Sequence, residues 1–394
     1  MTSPAYTVRS EERWKATDPL ALYVHWPFCV SKCPYCDFNS HVRESVDVAA
    51  WSAALLSDMG HEAALNRGRR VGSIFFGGGT PSLMPPALVA DLIEAAERHW
   101  GFTEDIEITL EANPNSVEVA RFADLASAGV NRVSLGVQSF EAEALQFLGR
   151  AHDSVEAHTA IGVGQRHFAR VSFDLIYALP GQSMEEWENQ LSRALSIGTG
   201  HLSLYQLTIE PGTRFETMVR RGEFTPADPD HAADLYELTQ TMTGAAGLPA
   251  YEVSNHARPG EESRHNLAYW RYRDYAGIGP GAHGRRGGAA TQRHRKPENW
   301  LAAVARSGHG VESEVPLTPR DRAREALMMG LRMAEGIDLA DIGLRTDVEA
   351  DILIDAGATA RMAGHGLLTA EGTRLRVTPA GMLVLDAILG EIVL

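Results

Sequence analysis

Cysteine is nearly missing from this chain. There are three in 394 residues, Cys29, Cys33 and Cys36, and none elsewhere. So small and tightly grouped a set excludes a disulfide framework, which needs an even count in an exported chain. Without a second cysteine pair, structural zinc, which usually takes four ligands in two separated pairs, is also disfavoured. No apolar run is long enough to cross a bilayer. Residues 1–18 hold no hydrophobic segment of the kind a signal peptide requires, and residues 1–19 are read as a flexible tail. Unpaired thiols in an unexported chain imply a reducing, cytoplasmic setting. Positive charge is short as well: 36 Lys and Arg stand against 51 Asp and Glu, a net charge of −15. Nucleic-acid affinity comes mostly from phosphate neutralisation, so no nucleic-acid partner is expected.

What the chain does have is 44% hydrophobic composition and enough length for one large domain and a smaller one. Short β-branched or aromatic runs at 22–25, 73–76, 106–110, 132–137, 171–176 and 202–207 alternate with segments of helical period at 87–100, 117–128, 141–148, 155–168 and 184–197. This alternation implies βαβ units around a parallel sheet, an α/β fold. The composition changes after about residue 300. Helices are expected there at 321–333, 339–344, 348–357 and 361–364, then two strands about the Glu371-Gly372 turn and a last helix. That order suggests a winged-helix-like module. The division expected is a tail (1–19), the α/β domain (20–255), a connecting segment (256–300) and the C-terminal domain (301–394).

The cysteines follow the first strand in the stretch Tyr23-Val-His-Trp-Pro-Phe-Cys29-Val-Ser-Lys-Cys33-Pro-Tyr35-Cys36-Asp-Phe38. Three thiolates on one loop reach three irons of a [4Fe–4S] cluster and leave the fourth open to a non-protein ligand. Reactive groups of parallel α/β barrels gather at the C-terminal ends of strands. Unusual residues stand at those ends here: Gly77-Gly78-Gly79-Thr80, Glu111-Ala-Asn-Pro114, Gly136-Val-Gln138-Ser, Asp174 with Pro180-Gly181-Gln182, and Tyr205 to Thr213. Strand-end glycines let backbone approach a ligand. Glu111 suits either an amino group or a ribose hydroxyl, and Gln138 both donates and accepts.

The Cys-x3-Cys-x2-Cys spacing resembles the signature of the radical S-adenosylmethionine (SAM) enzymes, whose fold is a partial (β/α)6 barrel resembling that of triosephosphate isomerase. Within that superfamily the strings Gly-Gly-Gly-Thr-Pro-Ser, Glu-Ala-Asn-Pro, Gly-Val-Gln-Ser-Phe, Leu-Gly-Arg and Asp-Leu-Ile-Tyr-Ala-Leu-Pro-Gly-Gln resemble the oxygen-independent coproporphyrinogen III oxidase-like family, and most closely its haem chaperones. The resemblance runs from Tyr23 to beyond Gly281. It implies that Cys29, Cys33 and Cys36 hold the cluster. It also implies that Tyr23, Tyr35, Gly78, Gly79, Thr80, Glu111, Gln138, Arg150 and Asp174 belong to the cofactor site. Arg150 has a second reading, as a charge closing the helix that starts near Glu141. The oxidases carry a further cysteine where this chain has Phe38, and that departure favours the chaperone branch over oxidative decarboxylation of coproporphyrinogen III.

Arg264-His265-Asn266-Leu-Ala-Tyr269-Trp270-Arg271-Tyr-Arg273 contains a His-Asn-x-x-Tyr-Trp string that resembles a haem-binding motif of those chaperones. Imidazole ligates haem iron, aromatic rings lie flat on a macrocycle, and arginines pair with propionates. His265 is the leading ligand, Tyr269 a haem contact and His283 the next choice, with Arg271, Arg273, Arg285 and Arg286 as the basic island. A plain aromatic surface cluster with a satisfied histidine is the other reading. The resemblance further implies apo-haemoprotein recipients, an electron donor, and peripheral membrane contact through those recipients.

Overall fold

The computed structural model describes residues 18–43 and 45–394. Of the tail expected over 1–19, only Asp18 and Pro19 fall within the described residues. Six strands, β1 (Leu20–Trp26), β2 (Val71–Gly78), β3 (Phe102–Ala112), β4 (Arg132–Gln138), β5 (Arg170–Tyr177) and β6 (His201–Gln206), run parallel in sequence order. They cover all six apolar runs, each longer or shifted by a residue or so at its ends. Burial on both faces explains why they read as near-continuous hydrophobic runs. Leu22, Val24, Ile74, Phe76, Leu110, Val133, Phe173 and Leu204 join the main core.

The sheet continues past the six. β7 (Asn255–Ala257) pairs antiparallel with β6, and β8 (Tyr275–Ile278) lies parallel to β1 on the other side. From β8 the antiparallel strands β9 (His283–Arg286), β10 (Ala289–Arg293) and β11 (Val311–Pro316) complete an eleven-stranded order β11-β10-β9-β8-β1-β2-β3-β4-β5-β6-β7. The barrel is therefore partial, with β11 and β7 as its end strands, and residues 249–251 bond to the outer side of β7. Strands β8 to β10 and the helix Arg264–Trp270 come from the stretch 256–300.

Two helical expectations are corrected. The segment 117–128 is two short helices, Ser116–Val119 and Phe122–Ser127. Glu118 turns inward to accept hydrogen bonds from the Asn113 amide and the Asn115 side chain, and Arg121 donates to the Leu83 carbonyl. The pair expected at 348–357 and 361–364 is a single turn of 3-10 helix, Ala350–Leu353, followed by one helix, Ala356–Gly364. The helix Val48–Leu65 carries the chain from β1 to β2 and had no counterpart in the sequence reading. Its inward face holds Asp58 and Glu62, both fully buried, where they meet Arg293; Arg286 also reaches Glu62.

The C-terminal domain follows the order helix Pro319–Gly330, strand Ile337–Asp338, helix Leu339–Thr346, helix Ala356–Gly364 and the hairpin Leu368–Glu371 with Arg374–Val377, as a winged helix does. It has its own core around Leu327, Ile342, Leu375 and Ile388, and Tyr272 of the barrel side is buried in it.

Candidate functional site

The cysteine loop is pinned at both ends. Cys29 lies in a two-residue strand, Phe28–Cys29, paired with His41–Val42. The Gly79 amide donates to the Trp26 carbonyl at 2.7 Å and the Thr80 amide to the Phe28 carbonyl at 2.8 Å. A Cβ on Gly79 would stand 2.6 Å from the Phe28 oxygen, so only glycine permits this approach. All three thiols are free and partly exposed. Each sulfur has its own polar neighbour. Thr80 Oγ1 donates to Cys29 Sγ at 3.5 Å, Arg150 Nη1 to Cys33 Sγ at 3.4 Å, and Ser40 Oγ is 4.0 Å from Cys36 Sγ. Burial pushes the Cys29 and Cys36 thiols above their ordinary range. Among the described residues no three His, Cys, Asp or Glu side chains converge as a mononuclear metal site needs. A cubane asks for something different, three thiolates spread over three corners, and a loop of free cysteines fits that demand.

These cysteines line a cavity of about 440 Å³ with Tyr35, Gly78, Gly79, Thr80, Glu111, Asn113, Gln138, Arg150 and Asp174. A hydrogen-bonded arc crosses it. Asn113 Nδ2 donates to Thr80 Oγ1 at 3.4 Å, and its Oδ1 accepts from Arg150, which also donates to the Gly136 carbonyl at 2.7 Å. Arg150 thus faces the cavity and not its helix end. Tyr35 packs against Phe215, with ring centroids 6.3 Å apart. Gln138 ends β4 at φ 68°, a left-handed conformation uncommon outside glycine. Glu111 and Asp174 face the cavity without a basic partner at ion-pair distance among the described residues. Burial, and then the neighbouring Asp174, raises Glu111 to about 8, although the Gly78 amide donates to it at 3.2 Å. Burial raises Asp174 to about 6 against the pull of Ser203, Arg132 and Ser134. Two carboxyls held partly neutral by burial suit a cationic ligand, which would let both ionise.

A second cavity, of about 1330 Å³, opens between the barrel and the C-terminal domain and shares Gly78, Glu111 and Phe38 with the first. Tyr23, Asn266, Tyr269, Trp270 and Tyr275 line it from the barrel, and Met329 and the stretch from Met382 to Ala387 from the C-terminal domain. Tyr23 hydroxyl lies 3.0 Å from His25 Nδ1, and His25 Nε2 is 2.9 Å from the Asn39 carbonyl. Asn39 Nδ2 donates to the Pro280 and Arg295 carbonyls, both at 2.9 Å, tying the cysteine loop to the opposite wall.

His265 does not line this cavity. It is 1% exposed, with Nδ1 3.1 Å from Ser73 Oγ and Nε2 2.8 Å from the Tyr269 hydroxyl. Burial lowers its pKa to about 3. The basic island also divides. Arg271 donates two hydrogen bonds to Glu335, Arg286 is taken by Glu62 and Glu314, and Arg273 lies 3.6 Å from Asp18. Arg285 alone of the four lines the cavity, stacked 3.5 Å over the Tyr272 ring, and Arg295 joins it there. Neither has a carboxylate partner among the described residues. Sequence reasoning passed over Asn39, Ser40, Asn113 and Arg295. Asn113 stood inside a quoted strand-end string, whereas nothing local marked Arg295.

Residues 23–194 match the Radical SAM superfamily and residues 317–384 the HemN C-terminal domain. The chain is 43% identical over 326 residues to the bovine "Radical S-adenosyl methionine domain-containing protein 1, mitochondrial", covering 80% of this chain and 74% of the relative. It is 40% identical over 387 residues to the Escherichia coli "Heme chaperone HemW", covering 94% and 97%. Among solved structures, coproporphyrinogen III oxidase (HemN) from Escherichia coli, a radical SAM enzyme, superposes with a TM-score of 0.81 at 25% identity, covering 97% of this chain and 91% of that one.

Proposed function

This chain belongs to the radical SAM superfamily and, within it, to the family of the HemW haem chaperones, and from that we propose that it carries haem to apo-haemoproteins. Cys29, Cys33 and Cys36 would hold a [4Fe–4S] cluster. Glu111 and Asp174 would meet the positive charge of SAM, while Gly78, Gly79 and Thr80 offer backbone and hydroxyl groups to its methionine end. The cluster supplies one-electron chemistry when bound, fed by an electron donor. Arg150 and Thr80 donate hydrogen bonds to two of the sulfurs, and the Thr80 bond draws the Cys29 thiol down against the burial that raises it.

The observation that carries the reading is the larger cavity. It sets an aromatic wall of Tyr269, Trp270 and Tyr275 beside two arginines, Arg285 and Arg295, that have no acid partner among the described residues. A flat apolar macrocycle bearing two propionates is the complement of that surface. Apolar burial of the ring would give most of the affinity. Each shielded arginine–carboxylate bond would add about 1.5–3 kcal/mol. Haem titrated into wild type and into R285A/R295A, followed at the Soret band, tests this. The double variant should bind at least about tenfold more weakly, and equal affinity would remove the propionate assignment.

A second reading has support in the overall likeness to HemN. Coproporphyrinogen also bears carboxylates and would fit the same cavity. Phe38 stands between the two cavities, where the oxidases have a further cysteine. Anaerobic incubation with coproporphyrinogen, a reductant and SAM separates the two readings. No turnover is expected, and formation of protoporphyrinogen would make the chain an oxidase.

A further inference from the structure

We propose that His283 is the axial nitrogen ligand of the haem, and that His265 acts only by positioning Tyr269. The inference rests on the haem reading above and names the ligand within it.

Iron ligation needs a ring nitrogen that is neutral, free of a competing hydrogen bond and open to the cavity. Among the described residues two histidines line the large cavity, His25 and His283. Both nitrogens of His25 are engaged, one by the Tyr23 hydroxyl and one by the Asn39 carbonyl. His265 lies behind the wall, with both nitrogens likewise engaged. No hydrogen bond holds the ring of His283 among the described residues, and it is exposed on the cavity side. Burial and the charge of Arg295 keep it below the ordinary histidine range, so it is neutral at pH 7.

Its position fits the rest of the wall. His283 and Arg285 are two apart in β9, so alternation puts both on one face, about 7 Å apart along the strand. Arg285 is held by stacking on Tyr272 and by donation to the Arg273 carbonyl. Iron at His283 and a propionate at Arg285 would thus be met from a single strand. Asn39 fixes the Pro280 and Arg295 carbonyls on either side of that strand's base. In the helix Arg264–Trp270, His265 instead fixes the Tyr269 hydroxyl from behind, a positioning role.

The test is a ferric haem titration into the full chain followed by optical and electron paramagnetic resonance spectra. Wild type should give a nitrogen-ligated spectrum, high-spin as a single imidazole leaves ferric haem. His283→Ala should lose it, and free imidazole should restore it. His265→Ala should keep the wild-type spectrum. Should His283→Ala not fold, His283→Met gives the same decision, since a thioether ligand changes the spectrum. A wild-type spectrum in either His283 variant overturns the assignment while leaving haem binding intact. Absence of any haem binding by folded wild type overturns instead the function it rests on, and the ligand with it.

Discussion

The two cavities touch at Gly78 and Glu111 yet are built on opposite plans. The smaller is made from consecutive strand ends, and its polar groups mostly satisfy one another through the arc Thr80–Asn113–Arg150. The larger gathers its wall from both ends of the chain, from Tyr23 to Ala387, and holds Arg285 and Arg295, which have no carboxylate partner among the described residues. Satisfied polar groups hold a small cofactor in fixed geometry. Unpartnered ones keep a surface ready for a ligand that must also leave. The proposed resident cofactor and transported cargo would call for these two constructions respectively.

The largest effect expected is the separation of the two sites by Cys33→Ala. Iron and sulfide after anaerobic reconstitution should fall from roughly four of each to near none. Haem binding should persist, because the arginines and aromatic rings of the larger cavity lie elsewhere. Parallel loss of both ligands would show that the cavities are one site.

Next comes Arg293→Ala. It would leave Asp58 without its guanidinium partner, and Glu62 with Arg286 alone, in the buried layer beneath β9 and β10. Removing one member of a buried ion pair costs about 3–5 kcal/mol. Thermal unfolding should register that loss, and haem affinity should fall with it more than iron loading does. A variant as stable as wild type would mean that the far wall does not depend on this network.

The smallest effect sharpens the electrostatic side. Glu111 titrates near 8 in the free protein, against an ordinary value of 4.5. The folded chain therefore holds a proton that the unfolded chain has released, and the stability of the ligand-free protein should decline as pH climbs from about 4.5 to about 8. A cation binds the ionised carboxyl better, so SAM affinity should rise over the upper part of that window, through about 6 to about 8. Calorimetry at pH 6 and pH 8 measures it, with Glu111→Gln expected to flatten the slope. A slope unchanged in the variant would assign the proton elsewhere.

The difference between the cavities also decided what could be read from the sequence. The six parallel strands were legible because burial on both faces writes an unbroken apolar run into each. Gly79 was legible because a backbone contact excludes every other residue. The helix Val48–Leu65 was not, because Asp58 and Glu62 put charge on its inward face and erase the amphipathic period; their partners Arg286 and Arg293 lie over 220 residues away. Distance in sequence hid Asn39 in the same way, since its acceptors are carbonyls 241 and 256 residues on. His265 shows the converse limit. A local string marks a histidine and a tyrosine on one helix face, but only the packing of Ser73 behind them turns the ring away from the cavity.

A barrel that stops short of closure leaves two strands whose outer hydrogen-bonding groups could recruit another chain. The way this one ends its sheet guards against that. β7 is only three residues long, and its outer side is already bonded by the backbone of residues 249–251. β11 is longer and exposed, and it carries Glu312 and Glu314 and closes on Pro316. Glu312 beside His294 and Glu314 paired with Arg286 put charged groups along the strand, and proline removes a donor at its end. The open side of the barrel is thereby kept from becoming a seed for aggregation.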